Sequence, residues 1–242
     1  MTYRLLRGGL LLLALAGVGA AAARAVFPAD LGTRMDPYRT RLFRWLSLVD
    51  PGAGGRAAEV ARFDSSFAAH PVQTLLHVVP GALFLALAPL QFSTRIRTRR
   101  LRLHRWSGRL LLLCGGVVGL NGLYFGLLMP YAGPAEGVAI AVFGGLFLLA
   151  ITRGFLAIRR HDLVGHREWM IRTFAIALGI STVRVFGALL DLALSPAGVG
   201  PKTIFVLAVW TGWIVTLGAA EAWIRRSRGW SVPVPALAGA RT

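Results

Sequence analysis

The sequence of 242 residues holds one cysteine, Cys114, and one lysine, Lys202. A single cysteine excludes an intramolecular disulfide and any multi-cysteine metal site or thiol relay. Set inside an apolar run, Cys114 reads as a buried, inert thiol. Acidic residues are also scarce: Asp and Glu number 10 against 27 Lys and Arg, a net charge of +17. Charged residues make up 15% of the chain, where a soluble domain carries about 25%. There is no glycine-rich nucleotide loop, no His-Glu-x-x-His pair and no serine or cysteine triad signature. No carboxylate pair stands at acid/base spacing. An ordinary hydrolase or ATPase is therefore not expected.

What is present is long apolar sequence. Hydrophobic residues make up 55% and the mean hydropathy is +0.62. A hydrocarbon core about 30 Å thick needs about 20 apolar residues per helix. Six runs meet or approach that length: Gly8 to Phe27, Val72 to Phe92, Leu110 to Met129, Gly137 to Ile158, Trp169 to Leu194 and Thr203 to Ile224. None shows strict alternation, and in lipid the backbone must satisfy itself, so helices are expected over a barrel. The fold class is all-α, a polytopic membrane helix bundle of six spans. Residues 1–27 form an N-terminal anchor or a cleavable signal. Residues 28–70 form an external loop with a short interfacial helix, 71–224 a five-helix membrane domain, and 225–242 a basic tail.

Arginine sets the orientation. Arg95, Arg97, Arg99, Arg100, Arg102 and Arg105 lie between spans two and three, and Arg159, Arg160 and Arg167 between four and five. Arg225, Arg226 and Arg228 follow span six, whereas the short connections after spans three and five hold only Lys202. Positive residues stay inside, which puts both termini in the cytoplasm; a single Lys against many Arg, with abundant Ala, Gly and Leu, fits a GC-rich bacterial genome and hence an inner membrane. Basic residues in short loops serve orientation and anionic lipid headgroups; nucleic acid is not expected. In the external segment Tyr38, Leu42, Trp45 and Val49 recur at helical spacing among Arg39, Arg41 and Arg44. That pattern fits a helix lying at the interface or a soluble cap helix.

A phrase repeats at the basic ends. His104-Arg105-Trp106 is followed by Arg109, and His166-Arg167-Glu168-Trp169 by Arg172. The repeat predicts two sister hairpins, spans two to five, related by a twofold axis along the membrane normal. His104 and His166 then lie at one depth, with Glu221 level with them. Two His and a carboxylate could ligate a metal, and two facing His could ligate haem iron or hydrogen-bond a quinone. Arg105 and Arg167 would sit near propionates or lipid phosphate. The plainer alternative is an interfacial network of helix-capping His and Arg with Trp106 and Trp169 in the aromatic belt.

A second polar group falls in the opposite half. His77 is about 8 Å inside span two and Arg184 about 22 Å along span five. Asn121 and Tyr124 belong to the same layer. An intramembrane Arg has a partner or faces a cavity. Arg184 therefore either holds an anionic or carbonyl ligand or is structural, paired with Asp191, seven residues on, or capped by backbone carbonyls. About 22 Å of helix separates His77 from Phe92, so His77 cannot join the His104 and His166 pair on one haem.

Leu76-His77-Val78-Val79-Pro80-Gly81, Pro89-Leu90-Gln91-Phe92, Leu103 to Arg109 and Gly165 to Arg172 resemble the bacterial predicted-membrane-protein family called domain of unknown function 2306. The resemblance covers Pro71 to Trp223. It implies a multi-pass membrane fold and brings no established activity. The family histidines, matched by His77, His104 and His166, invite comparison with four-helix membrane cytochromes of the b type, an analogy of architecture. Three functions follow as expectations: a redox-linked protein binding haem b or quinone, a transporter or small-molecule binding protein built on His77 and Arg184, and a scaffold for membrane protein partners.

Overall fold

The structure, a computed structural model, describes residues 2–46 and 53–228, with side chains over 8–46 and 58–228. Its helices are α1 (Thr2–Val26), α2 (Leu31–Trp45), α3 (Ala53–Ala69), α4 (Pro71–Gln91) and α5 (Thr94–Arg99), then α6 (Leu101–Leu128), α7 (Pro134–Arg159), α8 (Leu163–Leu194) and α9 (Pro201–Ser227). No strand occurs among the described residues. Six helices are long and apolar enough to cross a membrane: Gly8–Val26 of α1, α4, α6, α7, α8 with its 3-10 turn to Ala197, and α9. Large apolar side chains face outward along them, among them Leu12, Leu113 and Leu120, each more than 60% exposed. In water that surface would be a continuous apolar patch; lipid is its natural solvent.

Two helices begin earlier than their apolar runs. α6 starts at Leu101 and α8 at Leu163, so His104 and His166 are each the fourth residue of a helix and not part of a preceding loop. Charged first turns extend α8 to 32 residues, about 48 Å, well beyond a hydrocarbon core of about 30 Å. These arginine-rich turns mark the basic end of the bundle, and the opposite end, under α2 and α3, is the cap end.

The central helices form a closed ring. α4 packs on α6, α6 on α7, α7 on α8, and α8 returns to α4. α1 lies against α4 and α8, and α9 against α7 and α8, which makes α8 the common neighbour. Small residues let the helices approach closely. Gly115 and Gly119 of α6 receive Ile151, Phe147 and Leu148 of α7, and Gly126 receives Ile140. Gly179 of α8 lies under Trp213 of α9, whose indole donates to the Ile176 carbonyl at 2.9 Å.

The segment 28–70 holds two helices where the apolar spacing predicts one. α2 begins at Leu31 and runs through Pro37. The start of α2 is fixed by Asp64 of α3, which is fully buried. Asp64 accepts the Gly32 and Thr33 amides at 2.8 and 3.1 Å and Arg24 of α1 at 2.8 Å. A carboxylate there satisfies free helix-start donors and complements the helix dipole. α3 has little apolar periodicity because its buried face is an aromatic ridge: Phe63 packs on Tyr131 and Phe205, and Phe67 on Phe125. Arg39 of α2 reaches Asp191 at the far end of α8. α2 therefore crosses from the end of α1 to the end of α8. Val49, the Pro51-Gly52 break and the tail after residue 228 lie outside the described residues.

Candidate functional site

The two copies of the repeated phrase adopt matching local geometry at the basic end. The Arg109 guanidinium lies 5.0 Å from the Trp106 ring centroid and Arg172 lies 4.8 Å from that of Trp169. Each Trp–Arg spacing of three residues stacks cation on ring along one helix face. The repeated phrase thus extends to local side-chain packing.

The copies differ in how their charge is balanced. In the second, Arg172 makes a two-pronged pair with Glu221 of α9 at 2.5 and 3.1 Å. Arg228 holds Glu168 at 3.0 and 3.3 Å, and Arg167 donates to Ser227 Oγ at 2.8 Å. These contacts rivet α8 to α9. In the first copy Arg97 and Arg105 have no carboxylate partner among the described residues, and both act electrostatically on His104. Glu221 is turned to Arg172 and away from a shared site with the histidines. Among the described residues no group of three or more His, Cys, Asp and Glu is arranged to hold a metal ion.

The histidines carry the most specific chemistry. His166 Nδ1 is 2.8 Å from the Gly154 carbonyl of α7. A carbonyl only accepts, so Nδ1 carries a proton, and in the neutral ring Nε2 keeps the lone pair. His104, on the opposite side of the helix ring, is close enough to His166 for the two to interact electrostatically. His104 Nδ1 and Arg97 Nε are buried and have no hydrogen-bond partner. Buried polar atoms without partners are rare and call for an explanation, such as a group that the protein binds. One lone-pair nitrogen, one free ring nitrogen and two unpaired guanidiniums suit a group that combines an electron-accepting centre or polar carbonyl with negative charge.

In the cap half the structure brings together only part of the expected layer. His77 sits edge-on to Phe125, ring centroids 6.1 Å apart, and fills the space beside Gly122, where a Cβ would come within 3.3 Å of its ring. Its Nδ1 is buried and unpartnered. Arg184 is within electrostatic reach of His77 and of Arg24, and donates to the Ile180 carbonyl of its own helix at 2.9 Å. The pairing of Arg184 with Asp191 does not form; Asp191 is occupied by Arg39 at 2.5 Å and Ser195 Oγ at 2.6 Å. Asn121 bonds back to the Val117 carbonyl at 3.0 Å, and Tyr124 rests on Phe125 at 5.9 Å.

Arg97, Arg24 and the Gly154 carbonyl are the participants that the sequence does not announce. Arg97 is seven residues before His104, a helical spacing, but the chain breaks between α5 and α6. Arg24 interrupts the first apolar run and is held by Asp64 over the Phe67 ring at 4.6 Å.

Six apolar helices around two half-buried histidines define a polytopic, all-α integral membrane protein. A family model described as predicted membrane protein, DUF2306, matches residues 74–224. The chain belongs to that family. Neither a curated protein nor a solved structure shows significant similarity to it.

Proposed function

We propose that the basic end binds a redox-active group, haem b or a quinone, between His104 and His166. The supporting observation is the pair of imidazoles at equivalent helix positions, each with a ring nitrogen left for a non-protein partner. The Gly154 carbonyl orients the His166 ring and presents Nε2, the arrangement typical of a ligand imidazole. Arg97 and Arg105 would neutralise carboxylate or carbonyl oxygens of the bound group, while Arg167 and Glu221 hold α8 and α9 around it. The bound group would supply one-electron chemistry; the protein's part is to fix ring orientation and charge. Purified protein carrying neither haem nor extractable quinone would overturn this reading.

The same reading places the basic end and both termini in the cytoplasm of a bacterium, beside anionic headgroups, by the arginine asymmetry. The cap end then faces outward and α2 lies along the outer interface. Met35, Tyr38, Leu42 and Trp45 are exposed along one flank of α2, while Phe43 is buried toward the bundle. Arg34, Arg41 and Arg44 occupy the face away from Phe43, at the level expected of phosphate.

A second reading is favoured by the unpartnered His77 Nδ1 beside an Arg184 that no carboxylate neutralises. It makes the cap half a pocket for a small anionic or carbonyl-bearing molecule, as in a transporter. A folded Arg184→Gln variant that loses a ligand-induced thermal shift supports it; an unchanged shift removes it.

A further inference from the structure

A cleft of about 470 Å³ opens at the basic end between the last turns of α7 and the start of α8, lined by Arg153, Leu156, Ala157, Arg160, Asp162 and Trp169. It lies on the flank of the contact between Gly154 and Met170, beside the candidate cofactor site, and its lining includes neither histidine. Arg153 and Arg160 are seven residues apart, on one helix face and about 10 Å apart along the axis. Neither has a hydrogen-bond or ion-pair partner among the described residues, although Arg153 stands two turns inside the end of α7. An arginine at that depth ordinarily pairs or faces a polar cavity. Asp162 spends one oxygen capping α8 through the Gly165 amide at 2.8 Å. The Trp169 ring is fixed under Arg172, and Leu156 adds an apolar wall.

We propose that this cleft binds the headgroup of an anionic phospholipid, with the phosphodiester between Arg153 and Arg160 and the glycerol backbone along Leu156 and Trp169. The volume is in the range of small-molecule sites. Two guanidiniums against one carboxylate leave the lining with a net charge of +1, which matches one phosphodiester. A dianionic phosphate monoester would meet Asp162 with excess negative charge. Guanidinium recognises phosphate oxygens in a fork that lysine does not reproduce. The inference rests on the reading that the basic end lies at a membrane boundary, and is independent of what His104 and His166 hold.

The test is the unfolding midpoint of the full chain in detergent micelles, titrated with dioleoyl phosphatidylglycerol, dioleoyl phosphatidylcholine or sodium phosphate. Phosphatidylglycerol is expected to raise the midpoint saturably. Phosphatidylcholine should act at least tenfold more weakly, and sodium phosphate should neither raise the midpoint nor compete. Arg153→Gln/Arg160→Gln should weaken the phosphatidylglycerol response at least tenfold, about the loss of one charge-assisted hydrogen bond. Arg159→Gln removes the same kind of charge beside the cleft and should stay within twofold of the parent. If the double variant does not fold, Arg160→Gln alone should cost at least threefold. An undiminished response in the cleft variants, an equal loss in Arg159→Gln, or competition by sodium phosphate would each overturn the site. A protein that responds to phosphatidylglycerol but carries no haem or quinone loses only the redox reading.

Discussion

Asp191 of α8 holds Arg39 of α2 at 2.5 Å, across 152 residues of chain. Both side chains are nearly buried, at 11% and 13% exposure, and Arg39 also lies over the Phe43 ring at 4.1 Å. The pair ties the cap to the end of the membrane bundle. Removing one partner takes the close counter-charge from the other in a site that water barely reaches, a loss of up to about 3–5 kcal/mol. Asp191→Asn should lower the unfolding midpoint strongly and leave α2 sensitive to protease. Replacing both residues together, as Arg39→Met/Asp191→Leu, should recover much of the loss.

Asp64 serves three donors at once, and Asp30 serves as its internal control. Asp64→Ala leaves the Gly32 and Thr33 amides without their side-chain acceptor and Arg24 with the Pro28 carbonyl but no counter-charge, and should cost about 3 kcal/mol or more. Asp30 pairs with Arg34 in the open, both more than 40% exposed. Asp30→Ala should cost no more than about 1 kcal/mol. Thermal unfolding of the two variants in the same detergent checks the contrast.

The sister-hairpin arrangement predicts labelling from two sides. Cys114 is buried and should give little background with a membrane-impermeant maleimide. Cysteine at Thr98 or His161, at the basic end, should stay unlabelled in intact cells and become labelled after lysis. Cysteine at Ala132, in the turn between α6 and α7, should label in intact cells. Labelling of Thr98 and His161 from opposite sides would break the hairpin relationship.

Trp45 reports on α2. It is 78% exposed on the apolar flank. In a variant that keeps Trp45 as its single tryptophan, lipid carrying bromine near the headgroup should quench its fluorescence and aqueous iodide should have little effect. The reverse result would make α2 a water-facing cap.

Much of the fold is legible in the sequence because lipid imposes a length that apolar runs must meet. The starts of α6 and α8 are not, since Arg102, Arg105 and Arg167 belong to helical turns that an apolar-run criterion cuts away. α3 escapes because its inner face is made of Phe63 and Phe67 with polar neighbours between them. At the candidate site the equivalence of His104 and His166 is visible in the repeated phrase. The Gly154 carbonyl that sets the His166 tautomer is backbone and leaves no mark in a sequence. Asp191 shows the limit of reasoning along one helix. Arg184, seven residues away, lies about 10 Å along the axis, whereas Arg39 arrives from another element at contact distance.

A redox-active group held between His104 and His166 would leave a spectral or extractable signature. The absorbance spectrum of the purified protein after haem-supplemented expression, oxidised and then reduced with dithionite, tests it most directly when paired with solvent extraction of quinone. The expected result is either a Soret band that shifts on reduction or a stoichiometric quinone, in each case lost in His104→Ala and in His166→Ala while both variants stay folded. A wild-type protein with neither group, or one whose bound group survives both substitutions, would contradict it.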